Sequence, residues 1–96
     1  MEIWRTLTVL KHHFPLNDKV TVTVEKLDND EQGEWSYSEE TGHIIRVSSD
    51  VPESLRDEIL VHEYAHAITS YLPAHIADTA WGLVYGELYR VVFGDH

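Results

Sequence analysis

Ile3, Leu7, Leu10 and Phe14 recur at close to helical spacing, with Trp4 beside them. Such spacing puts apolar side chains on one face of a helix. Pro15 ends it, because proline has no N–H to donate and disfavours helix in the residue before it. The period then changes. Val20-Thr21-Val22-Thr23-Val24 alternates by two and is β-branched throughout, as a half-buried strand is. Asp28-Asn29-Asp30-Glu31-Gln32-Gly33 is a polar turn, and Trp35-Ser36-Tyr37 resumes the strand pattern, which predicts a hairpin. Thr41-Gly42 marks a second turn, and His43-Ile44-Ile45-Arg46-Val47 reads as a third strand.

Helical signals then return. Ser49-Asp50-Val51-Pro52-Glu53 is a helix start with Asp50 as candidate cap, and helix is expected from about residue 53 to about residue 71. Leu72-Pro73 breaks it. A last helix begins between His75 and Thr79 and carries Trp81, Val84, Tyr85, Leu88, Tyr89 and Val92 on one apolar face, with Gly94 beyond its end. The order helix, three strands, helix, helix predicts an α+β fold, with a small, mostly antiparallel sheet packed on the helix from residue 53. With 96 residues and no repeat, low-complexity tract or linker, residues 1–96 are read as one domain.

Charge narrows the partners. The chain carries 17 acidic and 7 basic side chains, a net −10, so it lacks the basic footprint of a nucleic-acid binder. The same charge disfavours anionic membranes and favours cationic or neutral substrates. The absence of cysteine excludes disulfides, a cysteine zinc ribbon and thiol catalysis. No secretory h-region or membrane-length apolar run is present, and a cytoplasmic location is the expectation.

The chemistry concentrates in His62-Glu63-Tyr64-Ala65-His66, a complete H-E-x-x-H. On a helix, residues four apart share a face, so His62 and His66 can direct two imidazoles at one ion. Glu63 lies beside the first of them, placed to act as general base on a water activated by Zn²⁺. A catalytic zinc site usually has three protein ligands, and three candidates follow the motif: His75, Asp78 and Glu87. His75 is expected in the turn after Pro73. Asp78 is either a ligand, a carboxylate orienting one, or a helix cap. Glu87 is more simply a solvated helix-face carboxylate. His12, His13, His43 and His96 read as surface or capping histidines, Tyr64 as facing away from the metal, and Trp4, Trp35 and Trp81 as core anchors. Tyr71, Tyr85 or the metal itself is the candidate donor to a carbonyl oxyanion.

On these residues the chain resembles the zincin metallopeptidases, in particular small SprT-like and phage-encoded minimal members. The resemblance spans most of the chain: first helix, three strands, the His62-Glu63-x-x-His66 helix, and a closing helix with Trp81-Gly82-Leu83-Val84-Tyr85-Gly86-Glu87-Leu88-Tyr89-Arg90. It implies a zinc peptidase acting on a peptide or protein, with an extended substrate held at a sheet edge, for which His43 to Val47 is nominated. The chain departs from the pattern at Ala77, where SprT-like proteins place their third ligand. His75 fits after an insertion of two residues, and Asp78 after a shift of one. A metzincin third histidine and Met-turn are absent, as is the basic surface of relatives that act on DNA-linked protein. The alternative from another class is a non-catalytic acidic interaction module with a structural or vestigial metal site.

Overall fold

A computed structural model describes residues 3–94. Its elements run α1 (Ile3–His13), β1 (Val20–Glu25), β2 (Gly33–Ser38), β3 (Gly42–Ser48), α2 (Glu53–Thr69) and α3 (Ala74–Phe93), an α+β arrangement. Among the described residues, no helix is long and apolar enough to cross a membrane.

The sheet differs from the expected one. Its order is β1-β3-β2. β3 pairs parallel with β1, Val22 opposite Ile45, and antiparallel with β2, Trp35 opposite Ile45. The sheet is therefore mixed, and the hairpin joins β2 to β3 instead of β1 to β2. Gly42 closes that hairpin at φ +73, and a Cβ there would collide with the Lys19 carbonyl, so the turn needs glycine. Because β3 is paired on both sides, His43 to Val47 has no free edge for a peptide, which corrects the nominated strand. The physical reason lies in composition: β3 is the strand buried deepest, with His43, Ile45, Val47 and Ser48 all enclosed.

One face of the sheet carries Val22, Ile45 and Val47 into the core with Leu10, Leu60, Val61, Tyr64 and Leu88. The opposite face carries a charged row, in which Arg46 pairs with Glu34 at 2.6 Å and Glu25 at 3.8 Å. Hydrogen bonds tie α1 and the residue that follows it to α2. Thr6 Oγ1 donates to the buried Asp57 carboxylate at 2.6 Å, and Tyr64 Oη donates to the Phe14 carbonyl at 2.7 Å. Tyr64 thus faces the core, away from the histidines.

Both later helices start directly after a proline. The N-caps are Pro52 and Pro73, and neither makes a side-chain cap bond. Asp50 is therefore not the cap; its backbone N–H bonds to Ser48 Oγ at 3.1 Å instead. α3 begins at Ala74, so His75 stands in its first turn and not in a loop, and Asp78 lies inside the helix and not at its cap. Trp4 is 51% exposed, which removes it from the expected core.

Candidate active site

α2 is buried along Leu60, Val61, Tyr64, Ala65 and Ala67, and this leaves His62 and His66 on its other side. Their ring centres lie 5.0 Å apart. Two imidazoles on one tetrahedral zinc, with bonds of about 2.1 Å, hold their ring centres roughly 5 Å apart. The ring-centre spacing of the pair is thus the one that two positions of a zinc site require. His12 and His13 show the same 5.0 Å, so the spacing alone does not distinguish a site. What distinguishes His62 and His66 is their surroundings.

Burial lowers the pKa of both rings, and for His66 the neighbouring His62 lowers it further. Both are held toward the neutral form, which is the ligating form. Glu63 is only 8% exposed. Its carboxylate stands 3.9 Å from His62 Nε2. Burial, then Glu34, then Glu31 push its pKa up to about 7.

His62 and Glu63 open into a groove of about 590 Å³ between α2, α3 and the start of β2. Gly33 forms the close approach. A Cβ there would lie 2.5 Å from Ile59 Cγ2 and 3.3 Å from Glu63 Oε2, so only glycine lets β2 run this near the carboxylate. β2 is also an edge strand. Ser48 N–H donates to the Gln32 carbonyl at 2.8 Å, which puts the bonded antiparallel pairs on the even positions of this strand. Gly33, Trp35 and Tyr37 then turn their backbone N–H and C=O toward the free edge.

α3 supplies the aromatic side of the site. Trp81 lies 4.7 Å from the His62 ring and 5.2 Å from the His66 ring, and Tyr85 lies 6.0 Å from His62. Trp81 Nε1 is buried without a hydrogen-bond partner. An orphaned N–H beside two histidines marks a place for an acceptor oxygen. Trp81 packs against the core, as expected of an anchor, and also against both histidines, while Gly33, expected in a polar turn, opens β2 beside Glu63.

Among the described residues, no group of three or more His, Asp or Glu side chains is placed to hold a metal ion. His75, Asp78 and Glu87 are thus not gathered onto the histidine pair as the chain stands. Helix phase separates them nonetheless. Asp78 precedes Trp81 by three residues and Tyr85 by seven, on the stripe that meets the histidines. His75 is turned roughly 100° from that stripe. Glu87 is ion-paired to Arg90.

Two further residues are placed elsewhere. His43 is fully buried, not a surface histidine. Trp35 Nε1–H donates to His43 Nδ1 at 3.0 Å, so that nitrogen must accept. In the neutral ring Nε2–H then donates to Tyr71 Oη at 2.8 Å, and Tyr71 donates to Asp18 Oδ2 at 2.8 Å. Tyr71 is committed to this chain of bonds, which leaves Tyr85 as the tyrosine beside the histidines. His96 lies outside the described residues.

No family model, curated protein or solved structure matches this chain.

Proposed function

We propose that this chain is a zinc-dependent metallopeptidase. The observation that carries the reading is the convergence, on one groove, of His62, the buried Glu63 and the free edge of β2, with His66 beside His62. Nothing in an ordinary core calls for a nine-tenths buried carboxylate without a hydrogen bond at the foot of a groove.

His62 and His66 would hold the ion, and Asp78, on the facing stripe of α3, is the residue we assign as third ligand in preference to His75. Zinc, when bound, supplies Lewis acidity toward a carbonyl and lowers the pKa of water. Glu63 takes the proton of the attacking water and returns it to the leaving amine. The outward N–H and C=O groups of Gly33, Trp35 and Tyr37 hold an extended peptide by strand addition. Tyr85 and Trp81 Nε1 are the donors nearest the histidines for a developing oxyanion.

One observation favours the second reading, an acidic interaction module with a structural or vestigial site: no third ligand is grouped with the histidines among the described residues. Zinc titration of the metal-free chain by calorimetry separates the two. One zinc per chain is expected, with affinity lowered by Asp78→Ala at least about as much as the 10- to 100-fold that loss of an outer partner of a ligand costs, and unchanged by His75→Ala. Absence of stoichiometric zinc would favour the interaction module.

A further inference from the structure

The groove carries more than the reacting groups. Glu31, Glu34 and Glu58 line it together with Leu55 and Ile59, and neither lysine nor arginine does. Glu34 is neutralised in part by its 2.6 Å pair with Arg46. Among the described residues Glu31 makes no ion pair, and Glu58 accepts a 3.4 Å bond from Tyr89. Both are exposed, so their carboxylates are available to a ligand. At the floor Glu63 is nine-tenths buried, stands 3.9 Å from His62 Nε2, makes no hydrogen bond among the described residues, and faces the same space. The acids and the floor carboxylate therefore belong to one cavity, whose lining holds His62 but neither lysine nor arginine.

Position adds to composition. Glu58 precedes His62 by four residues, one turn of α2, a distance of about 6 Å along the axis. An extended peptide covers that distance in about two residues, and residues two apart point to the same side. A side chain two positions from the bond at His62 and Glu63 would then reach the acids, with its stem against Leu55 and Ile59. A long cationic side chain suits both parts, because lysine and arginine lay an apolar stem on apolar surface and keep the charge at its end.

We propose that the groove selects peptides with a lysine or arginine side chain two residues from the bond cut, seated between Glu31 and Glu58. The proposal rests on reading this groove as the substrate cleft. Its charge selectivity is measured apart from hydrolysis.

The probes are fluorescein-labelled octapeptides of alternating valine and serine, with lysine, norleucine or glutamate at one central position. Binding to the zinc-loaded Glu63→Gln chain is followed by anisotropy. The lysine peptide is expected to bind about tenfold tighter than the norleucine peptide at low salt, and the preference should shrink below about threefold at 0.5 M salt. The double variant Glu31→Gln/Glu58→Gln, both positions exposed, should abolish the preference and keep the melting temperature. Equal binding of the lysine and norleucine peptides would overturn the proposal, as would a preference that survives the double variant. The wild-type chain is then tested for hydrolysis of the same peptides. Cleavage at equal kcat/KM for lysine and norleucine overturns the selectivity and leaves the peptidase reading standing. A salt-sensitive binding preference without cleavage supports the selectivity of the groove and contradicts the peptidase reading.

Discussion

Gly33 on the edge strand stands directly against Glu63 on α2, so close that a single added methyl would lie 3.3 Å from the Glu63 carboxylate and 2.5 Å from Ile59. This approach joins the strand edge and the candidate base in one groove. Gly33→Ala should destabilise the chain by about 1–3 kcal/mol, the usual cost of overpacking. It should also lower peptide affinity by moving β2 away from Glu63. Gly82→Ala and Gly86→Ala are the controls, because an added Cβ at either meets nothing within 4 Å. Each should stabilise α3 by about 0.5–1 kcal/mol. Thermal melts of the three variants check the contrast.

Glu63 makes the metal-free chain sensitive to pH. Its folded pKa is raised from 4.5 to about 7, chiefly by burial and then by Glu34 and Glu31. A carboxyl raised in the folded state stabilises fully below its unfolded pKa and loses that contribution as pH rises through the folded value. Between about pH 4.5 and 7, metal-free wild type should therefore lose about 2–3 kcal/mol that metal-free Glu63→Gln keeps. Urea melts of both chains at pH 5 and pH 8 measure the difference. Parallel curves would show that Glu63 is not held as described.

His43 acts with the opposite sign. Burial lowers its pKa from 6.5 against the opposing pull of Asp18. Protonating Nδ1 would also set two donors against each other, since Trp35 Nε1–H already points there. Stability is thus present above about pH 6.5 and is lost as pH falls toward the folded pKa. His62 and His66, also lowered, add to the same trend. Replacing His43 by Phe should reduce stability at pH 7.5, and the gap between wild type and the variant should narrow between pH 6.5 and 5, as read from urea melts of both chains.

Trp81 offers a test of the aromatic side. Trp81→Phe keeps a ring against His62 and His66 and deletes the orphaned N–H. Loss of one oxyanion donor typically costs on the order of 10²-fold in kcat. A fall of at least about tenfold in kcat with zinc affinity unchanged is expected; unchanged kcat would leave Tyr85 as the donor.

The elements were legible in the sequence because their periods were clean. Ile3, Leu7 and Leu10 repeat as a helix does, Val20 to Val24 as a strand does, and the motif fell inside a helix ending at Thr69. Strand order was not legible. Each strand alternates in much the same way, so nothing local told β2 that its partner is β3, although the apolar run Ile44-Ile45 with Val47 was a sign that β3 lies in the middle. Asp50 looked like a cap, yet prolines at 52 and 73 set both helix starts. His43 was misjudged because its partners, Trp35 and Tyr71, lie 8 and 28 residues away. Gly33 was hidden for the same reason, since its neighbours Ile59 and Glu63 belong to another element. Asp78 and His75 differ only in helix phase, which could be compared once α3 was known to begin at Ala74.

The most direct test sets wild type beside Glu63→Gln, both prepared with zinc in excess and then freed of loose metal. Metal content and hydrolysis of the lysine-containing octapeptide are measured on each. One zinc per chain in both proteins, with hydrolysis in wild type alone, is the predicted result. Equal hydrolysis by a zinc-loaded Glu63→Gln chain, or no retained zinc in either protein, would contradict the account.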